Sequence, residues 1–393
     1  MQTGSEMKSK VRLGIIFTHL NNWTGGSNYL ENLLYSISES GGLGIDIFIF
    51  TGKNNRKVIE RFAPLSTLIF DSLFDRRSFF WIVEKLFVKF FKRHFFLTLL
   101  LRRYKIQILT HSEIHIKIQG MKIINWIPDF QHLHYPEYFS KKEIQQREKM
   151  IKGVCSTSDL IILSSNSSLQ DFQIHHMEFS RKVRILKFTS CLPSRYNEPV
   201  NIEYLKDRFN IAGKYFFVPN QFWKHKNHKV ILEALTILKS NNKDVMVIFS
   251  GNMNDTRDPD YLKELVMYVN THSLQNSVKF LGLLEYRDVV SLMKYSIAVI
   301  NPSFFEGWST TVEECKSLGK NIILSNINTH LEQSPEHSFY FNPDDPDELA
   351  NILSTLWAEG SVLSYSNTDG KNLKKRIIDF ASNYQKIVFE LIN

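Results

Sequence analysis

The chain has little cysteine and no long uninterrupted apolar run, and both scarcities exclude whole classes of protein. Three cysteines in 393 residues, Cys155, Cys191 and Cys315, stand far apart. They have neither the paired spacing of a zinc site nor the density of a disulfide scaffold, a pattern that suits a reducing cytoplasm. Met1 to Lys10 is polar, so no secretory leader is expected. The richest apolar stretch, residues 79–103, is interrupted by Glu84, Lys85, Lys89, Lys92 and Arg93. Each of those charges would cost about 2.5–3.5 kcal/mol at the centre of a bilayer, which argues against a membrane span. The same stretch suits a helix packed on a sheet, or one lying at a membrane surface with its Lys and Arg reaching toward headgroups. The two acid-rich turns, Asp255-Thr256-Arg257-Asp258 and Asp344-Asp345-Pro346-Asp347, read as ordinary turns, the second with Asp345 as a helix cap. No metal site is expected from either, and no short-period repeat is present.

What is present is enough apolar material, 43% of the chain, for two cores. The net charge of +8 is compatible with anionic lipid, nucleic acid or sugar phosphates, and by itself does not choose among them. Short apolar runs alternate with helical patterns twice. The first series has strands near Val11–Thr18, Ile45–Phe50, Thr67–Phe70, Ile106–Thr110, Lys122–Ile127, Leu160–Leu163 and Val183–Phe188, and helices near Asn28–Ser38, Lys141–Gly153 and Ser167–Met177. The pattern lapses over Ser190–Gly213, with Pro193 and Pro199, and an inter-domain link is placed there. A second series has strands near Tyr215–Val218, Val245–Ser250, Val278–Leu281, Ile297–Ile300, Asn321–Leu324 and Phe339–Phe341, with helices between them and a last helical pattern over Lys371–Leu391. Buried strands alternating with helices imply parallel sheets covered on both faces, whose ligands bind at the carboxyl ends of the strands.

The segment after the Ile297–Ile300 run carries the chemistry. It reads Asn301-Pro302-Ser303-Phe304-Phe305-Glu306-Gly307-Trp308-Ser309-Thr310-Thr311-Val312-Glu313-Glu314-Cys315, with seven residues between Glu306 and Glu314. A strand, a glycine-bearing loop and a helix start place free amides where phosphate binds well. Thr310 with Glu313, or Thr311 with Glu314, reads as a capping box. After the first strand of the second half comes Pro219-Asn220-Gln221-Phe222-Trp223-Lys224-His225-Lys226-Asn227-His228, a basic loop suited to a diphosphate. Gly25-Gly26 lies between the first strand and its helix, where backbone can approach a ligand. Asp129-Phe130-Gln131-His132-Leu133-His134 follows another buried strand.

From about Tyr215 to Leu353, and more loosely before it, these residues resemble the family-four glycosyltransferases, retaining enzymes that use nucleotide sugars. Pro302-Ser303, Glu306-Gly307-Trp308-Ser309 and Glu314 match the family pattern, and Ser317-Leu318-Gly319-Lys320-Asn321-Ile322-Ile323 follows. Ser309 stands in place of a glycine, and Asn321 in place of the usual proline. The resemblance implies a GT-B fold: α/β, with two Rossmann-like doubly wound domains facing a cleft, divided as 1–195, 196–370 and a 371–393 helix packing back on the first domain. It further implies that Glu306 lies beside the transferred sugar, that Glu314 takes the ribose, and that Lys226 grips the donor diphosphate. Lys224 or His225 are possible assistants to Lys226. The family arginine falls on Gln221 (or Asn220), which carries no charge. Gly25, Gly26, Gly307, Trp308, Ser309 and Thr310 are expected around the donor. The histidine that contacts the donor sugar in many relatives falls on Pro128, so Asp129 or His132 is the expected substitute, with His134 less favoured. The implied reaction moves a hexose, mannose-like from a GDP-sugar or else from a UDP-sugar, to a lipid-linked or saccharide acceptor in surface polysaccharide or lipopolysaccharide assembly. Neither metal nor other cofactor is implied, nor nucleic acid. The expected location is cytoplasmic, peripheral at the inner face of the cell membrane if 79–103 touches it. A sugar-nucleotide epimerase on the same fold and a non-catalytic nucleotide-sugar-binding protein are the alternatives.

Overall fold

The computed structural model describes residues 10–17, 24–112, 114–191, 200–211, 213–255, 257–360 and 367–392. Thr18, Pro193, Pro199 and Thr256, which figure in the expectations above, lie outside them. The chain divides into two compact units, the first of residues 1–130, 141–188 and 375–393, the second of 131–140 and 189–374.

The first unit holds strands β1 (Val11–Ile16), β2 (Ile45–Thr51), β3 (Thr67–Phe70), β4 (Ile108–Thr110), β5 (Lys122–Trp126), β6 (Leu160–Leu163) and β7 (Val183–Ile185). They form one sheet in the order β3-β2-β1-β4-β5-β6-β7, every recorded pair parallel. Within this unit the helix Asn367–Phe389 buries Phe380, Ala381, Tyr384 and Val388, an i, i+1, i+4, i+8 set that falls on one side of a 3.6-residue helix. Tyr384 donates to Thr110 Oγ1 at 2.9 Å, and Arg184 clasps Glu390.

The 79–103 stretch is two helices, Phe79–Phe91 and Phe96–Arg103, rather than one. Lys92 ends the first in a left-handed conformation (φ 53°), which turns the chain. Ser78 starts it, accepting from the Trp81 amide at 3.1 Å. Leu97 and Leu101 of the second helix enter the core with Phe50, Ile106 and Leu109. Among the described residues no helix is long and apolar enough to cross a membrane.

The second unit holds β8 (Phe216–Val218), β9 (Val247–Phe249), β10 (Val278–Phe280), β11 (Val299–Asn301), β12 (Ile322–Ser325) and β13 (Ser338–Phe341), in the parallel order β10-β9-β8-β11-β12-β13. Successive strand residues serve opposite faces. Phe216, Val218, Val247, Phe249, Ile300 and Ile323 enter one core, while Phe217, Ile248, Val299, Ile322 and Leu324 enter the other. Such strands read as continuous apolar runs because both faces are covered. The helix Ile202–Phe209, capped by Asn201 and burying Leu205, lies in the segment read as a link. Its one buried leucine gave too little periodic signal to stand out there.

The strand order reverses between β8 and β11, which pair through Phe217 and Val299. The loops leaving these two strands therefore start side by side at the topological switch point, where doubly wound sheets bind ligands.

Candidate functional site

Both loops singled out in the sequence leave this switch point. Asn301, at the end of β11, is buried and joins them. Its Oδ1 accepts from Asn220 Nδ2 at 3.2 Å and lies 2.8 Å from Ser303 Oγ, and its Nδ2 donates to Ser309 Oγ at 2.8 Å. The Phe304 amide donates to the His225 carbonyl at 2.8 Å, a second tie between the loops. Gly251, after β9, has φ +143°, and a Cβ there would lie 2.4 Å from the Asn220 carbonyl oxygen. Only glycine lets that backbone approach so closely.

This packing sets Lys226 Nζ 2.6 Å from Glu306 Oε1, with both side chains largely buried. Ser303 Oγ lies 2.7 Å from the same carboxylate oxygen. Burial pushes the Glu306 pKa up, but the Lys226 ammonium, the nearby His330 and the hydrogen bonds from Lys226 and Ser303 outweigh it. The net shift is downward, so Glu306 is an anion. An ammonium has three N–H donors, and one is engaged by Glu306.

The other groups of the basic loop are not free cations. Burial, then the neighbouring Lys226, hold His225 well below the usual histidine range, and burial pushes His228 down to about 3. Lys224 faces Asp258 at 3.4 Å. The expected assistance to Lys226 from His225 is thus corrected, because a buried imidazole beside an ammonium stays neutral. Gln221 sits at the start of the loop, its carbonyl accepting from the Trp223 amide at 2.7 Å.

The helix Thr310–Leu318 starts one residue earlier than the Thr310 capping box required and two earlier than the Thr311 box. Its cap is Ser309, whose Oγ accepts from the Val312 amide at 3.4 Å. Neither Thr310–Glu313 nor Thr311–Glu314 forms a box. Glu313 instead accepts from Gln333 Nε2 at 3.0 Å, and its own amide donates to the Ser309 carbonyl. The Ser309 amide donates to Gln333 Oε1 at 3.0 Å, so Ser309 serves the loop and offers no amide to a ligand. The amides of Thr310 and Thr311, in the first turn, have no protein acceptor among the described residues. Gly307 and Thr310 are half-buried and Trp308 is buried. Gly319 ends the helix in the left-handed region (φ 59°).

Glu314, one turn along that helix, is buried and accepts from the Tyr286 hydroxyl at 2.6 Å. Burial raises its pKa to about 7 against the ordinary 4.5, the Tyr286 bond opposing the shift. Two carboxylates of one motif are thus held differently: one is ionised by an ammonium, the other is poised near neutrality.

Sequence reasoning missed the residues that hold this loop. Thr329 donates to the Glu306 carbonyl at 2.7 Å, and Gln333 brackets Ser309 through both amide atoms. His330 Nδ1 lies 2.9 Å from the Ser325 carbonyl, which fixes its proton there and leaves Nε2 toward Asn301. These three come from the short helix Asn328–Gln333, which has no apolar periodicity to reveal it. Tyr286, the first residue of its own helix, was visible only as a helix start.

Of the remaining expected residues, Gly25, Gly26 and Asp129 belong to the first unit, and His132 and His134 to the second. Gly25 and Gly26 occupy the first turn of the helix Thr24–Glu39 in the first unit, Gly25 exposed and Gly26 buried, instead of a loop before it. Asp129, also in the first unit, faces Arg147 at 3.7 Å. His132 is 1% exposed and packs edge-on to Phe139, while His134 lies against Phe305. Asp255 accepts from the Arg257 amide and twice from its guanidinium, which lies over Trp223 and Phe139, and Asp345 caps the helix Pro346–Glu359. No group of three or more metal-ligating side chains occurs among the described residues.

Residues 205–376 match the family model described as Glycosyl transferases group 1. The O-antigen chain mannosyltransferase B of Escherichia coli is 22% identical over 260 residues, 65% of this chain and 67% of the relative. The O-antigen chain mannosyltransferase RfbU of Salmonella typhimurium is 22% identical over 335 residues, 82% of this chain and 81% of the relative. Among solved structures, Anabaena HepE in complex with UDP superposes with a TM-score of 0.66 at 17% identity, covering 97% of this chain and 99% of that one. Two parallel-sheet units of this kind, with a group 1 domain at the second, define a nucleotide-sugar-dependent glycosyltransferase of the GT-B fold. Residues 205–376, rather less than half of the chain, carry the group 1 glycosyltransferase match.

Proposed function

We propose that the protein transfers a hexose, with retention of configuration, from a nucleoside diphosphate hexose to a lipid-linked or saccharide hydroxyl in surface-polysaccharide assembly. The reading rests on one observation above others: the buried Lys226–Glu306 pair, 2.6 Å apart at the switch point of the second sheet. The donor diphosphate takes the remaining Lys226 donors and the Thr310 and Thr311 amides at the helix start, where the dipole favours an anion. Glu314, oriented by Tyr286, takes ribose hydroxyls. As the bond from the anomeric carbon to the diphosphate oxygen breaks, its electron pair goes to the leaving diphosphate, and preorganised donors stabilise that charge. Glu306, ionised beside Lys226, faces the sugar. The acceptor hydroxyl bonds to the anomeric carbon from the departing side, its proton passing to the leaving phosphate. No metal or other cofactor has a part in this scheme.

The relatives named O-antigen mannosyltransferases support a polysaccharide setting and a mannose-type donor, and one named as a galactosyltransferase acting on a diphosphoundecaprenol-linked sugar supports a lipid-linked acceptor. Such an acceptor would be met at the cytoplasmic face of a membrane. An epimerase or a non-catalytic binder is disfavoured by these transferase relatives. The test is mass spectrometry of the purified protein with a panel of GDP- and UDP-hexoses, alone and with lipid-linked saccharides. Transfer or slow donor hydrolysis with one donor, abolished in Glu306→Gln while nucleotide binding persists, is the expected result. Absence of binding to every nucleoside diphosphate would overturn it.

A further inference from the structure

The helix pair Phe79–Phe91 and Phe96–Arg103 carries a surface that the transfer reaction does not use. Phe79, Ile82, Leu86 and Phe90 are all exposed and follow at intervals of three, four and four residues, so they line one face of the first helix. Phe79 and Phe90 are 73% and 70% exposed, and Phe91 and Phe95 extend the patch beside them. Isolated exposed apolar residues are ordinary, but a contiguous row of large ones marks a contact surface. Its foundation is firm. Phe87 packs against Phe95 and Phe96 (ring centroids 5.3 and 5.9 Å apart), and Leu97 and Leu101 are sunk in the core.

Charge on the pair has a single sign. Lys85, Lys89, Lys92, Arg93, Arg102 and Arg103 are exposed, whereas the one carboxylate between residues 79 and 103, Glu84, is buried against His94 Nδ1 and the Phe96 amide, both at 2.9 Å. Lys85 and Lys89 lie over the rings of Trp81 and Phe90, so their stems cover aromatic surface while their ammonium groups stay at its margin. At about 1.5 Å per residue, the first helix is roughly 20 Å long, too short to span about 30 Å of hydrocarbon. Lying flat, it can place its row of side chains among acyl chains and its cations among headgroups.

We infer that the Phe79–Arg103 helix pair docks the protein on an anionic lipid bilayer, with Phe79, Ile82, Leu86 and Phe90 inserted below the headgroups. Charge complementarity selects this occupant. A second copy would bring six cations against six, and a nucleic acid offers no hydrocarbon for the apolar row. The inference is independent of the donor site, which draws on none of these residues.

The experiment is co-sedimentation of the full chain with phosphatidylcholine vesicles and with vesicles containing phosphatidylglycerol, at low and high salt. Binding is expected to be at least tenfold tighter to the anionic vesicles and to weaken as salt rises. Phe79→Ser with Phe90→Ser is expected to lose at least tenfold in partition. Each of Lys89→Gln and Lys92→Gln is expected to lose roughly fivefold, since a basic residue near an anionic surface contributes about 1 kcal/mol. Unchanged nucleotide affinity and thermal melting in these variants show that the fold persists. Absence of wild-type binding to anionic vesicles, or wild-type partition by the phenylalanine variant, overturns the inference. So does concentration-dependent dimerisation that the phenylalanine variant abolishes while vesicles fail to bind.

Discussion

At the residue scale, the two glutamates of the motif make opposite demands on pH. An unfolded glutamate titrates at its ordinary 4.5, whereas folded Glu314 titrates at about 7. Between those values the folded chain keeps a proton that the unfolded chain has released. This group's contribution to stability therefore falls as pH rises through that window, and is flat on either side of it. Glu314→Gln keeps an acceptor for Tyr286 and removes the penalty. It should stabilise the protein by about 3 kcal/mol at pH 8, taking 1.36 kcal/mol per pKa unit, and by almost nothing near pH 4.5, as urea unfolding at the two pH values would reveal. Ribose hydroxyls donating to Glu314 would favour its anion, so nucleotide binding near pH 7 should release a proton. Calorimetry in buffers of different ionisation enthalpy measures that release. Glu306 behaves in the reverse sense: its lowered pKa gives stability that is present above 4.5 and lost as pH falls through its folded value. Lys226→Met strands a buried anion and should cost about 3–5 kcal/mol along with most nucleotide affinity. Adding Glu306→Gln should recover much of the stability and none of the affinity. Lys226, Glu306 and Glu314 could be singled out in the sequence because they sit in a basic loop and a glutamate motif that each follow a buried apolar run. Gln333, His330 and Tyr286 could not, since the motif residues they reach, Ser309, Asn301 and Glu314, lie 24, 29 and 28 residues away in sequence.

At the scale of the element, the strands were legible because a sheet buried on both faces needs unbroken apolar runs. Helix starts were less so. The sequence around residue 310 offers several hydroxyls, and Ser309 became the cap because Asn301 and Gln333 hold it in place. Ser309→Ala should lower stability by about 1–2 kcal/mol through the lost cap and weaken nucleotide binding, both accessible by thermal melting with and without nucleotide. Residues 79–103 read as one helix because composition is uniform across the break, and nothing in a Phe-Lys-Arg run announces a left-handed lysine. Lys92→Gly should stabilise the helix end by about 1 kcal/mol, measured on the same melts.

On the scale of the molecule, both series of strands were legible from the alternation with helices, and the likeness of the second half to a group 1 domain from its motif. Less legible was that residues 131–140 belong with the second unit. Their membership depends on Tyr135 donating to the Phe304 carbonyl and on Arg257 lying over Phe139, contacts that no local pattern encodes. The first unit is completed by the last helix of the chain. Truncation after residue 374 removes Phe380, Ala381, Tyr384 and Val388 from its core. That should unfold the first unit while nucleotide affinity, carried by second-unit residues, stays within about tenfold (roughly 1.4 kcal/mol). Scanning calorimetry and a nucleotide titration of the truncated chain check the two halves of this expectation.

The Ser303 hydroxyl has a single hydrogen and two oxygen neighbours, Asn301 Oδ1 and Glu306 Oε1. Asn301 Oδ1 has a second donor in Asn220, so it is not orphaned when the hydroxyl turns away. If an arriving phosphate draws Lys226 off Glu306, Ser303 can swing its hydrogen wholly onto the carboxylate. A rotor of this kind lets the site exchange its counterion without disturbing the strand on which it is built.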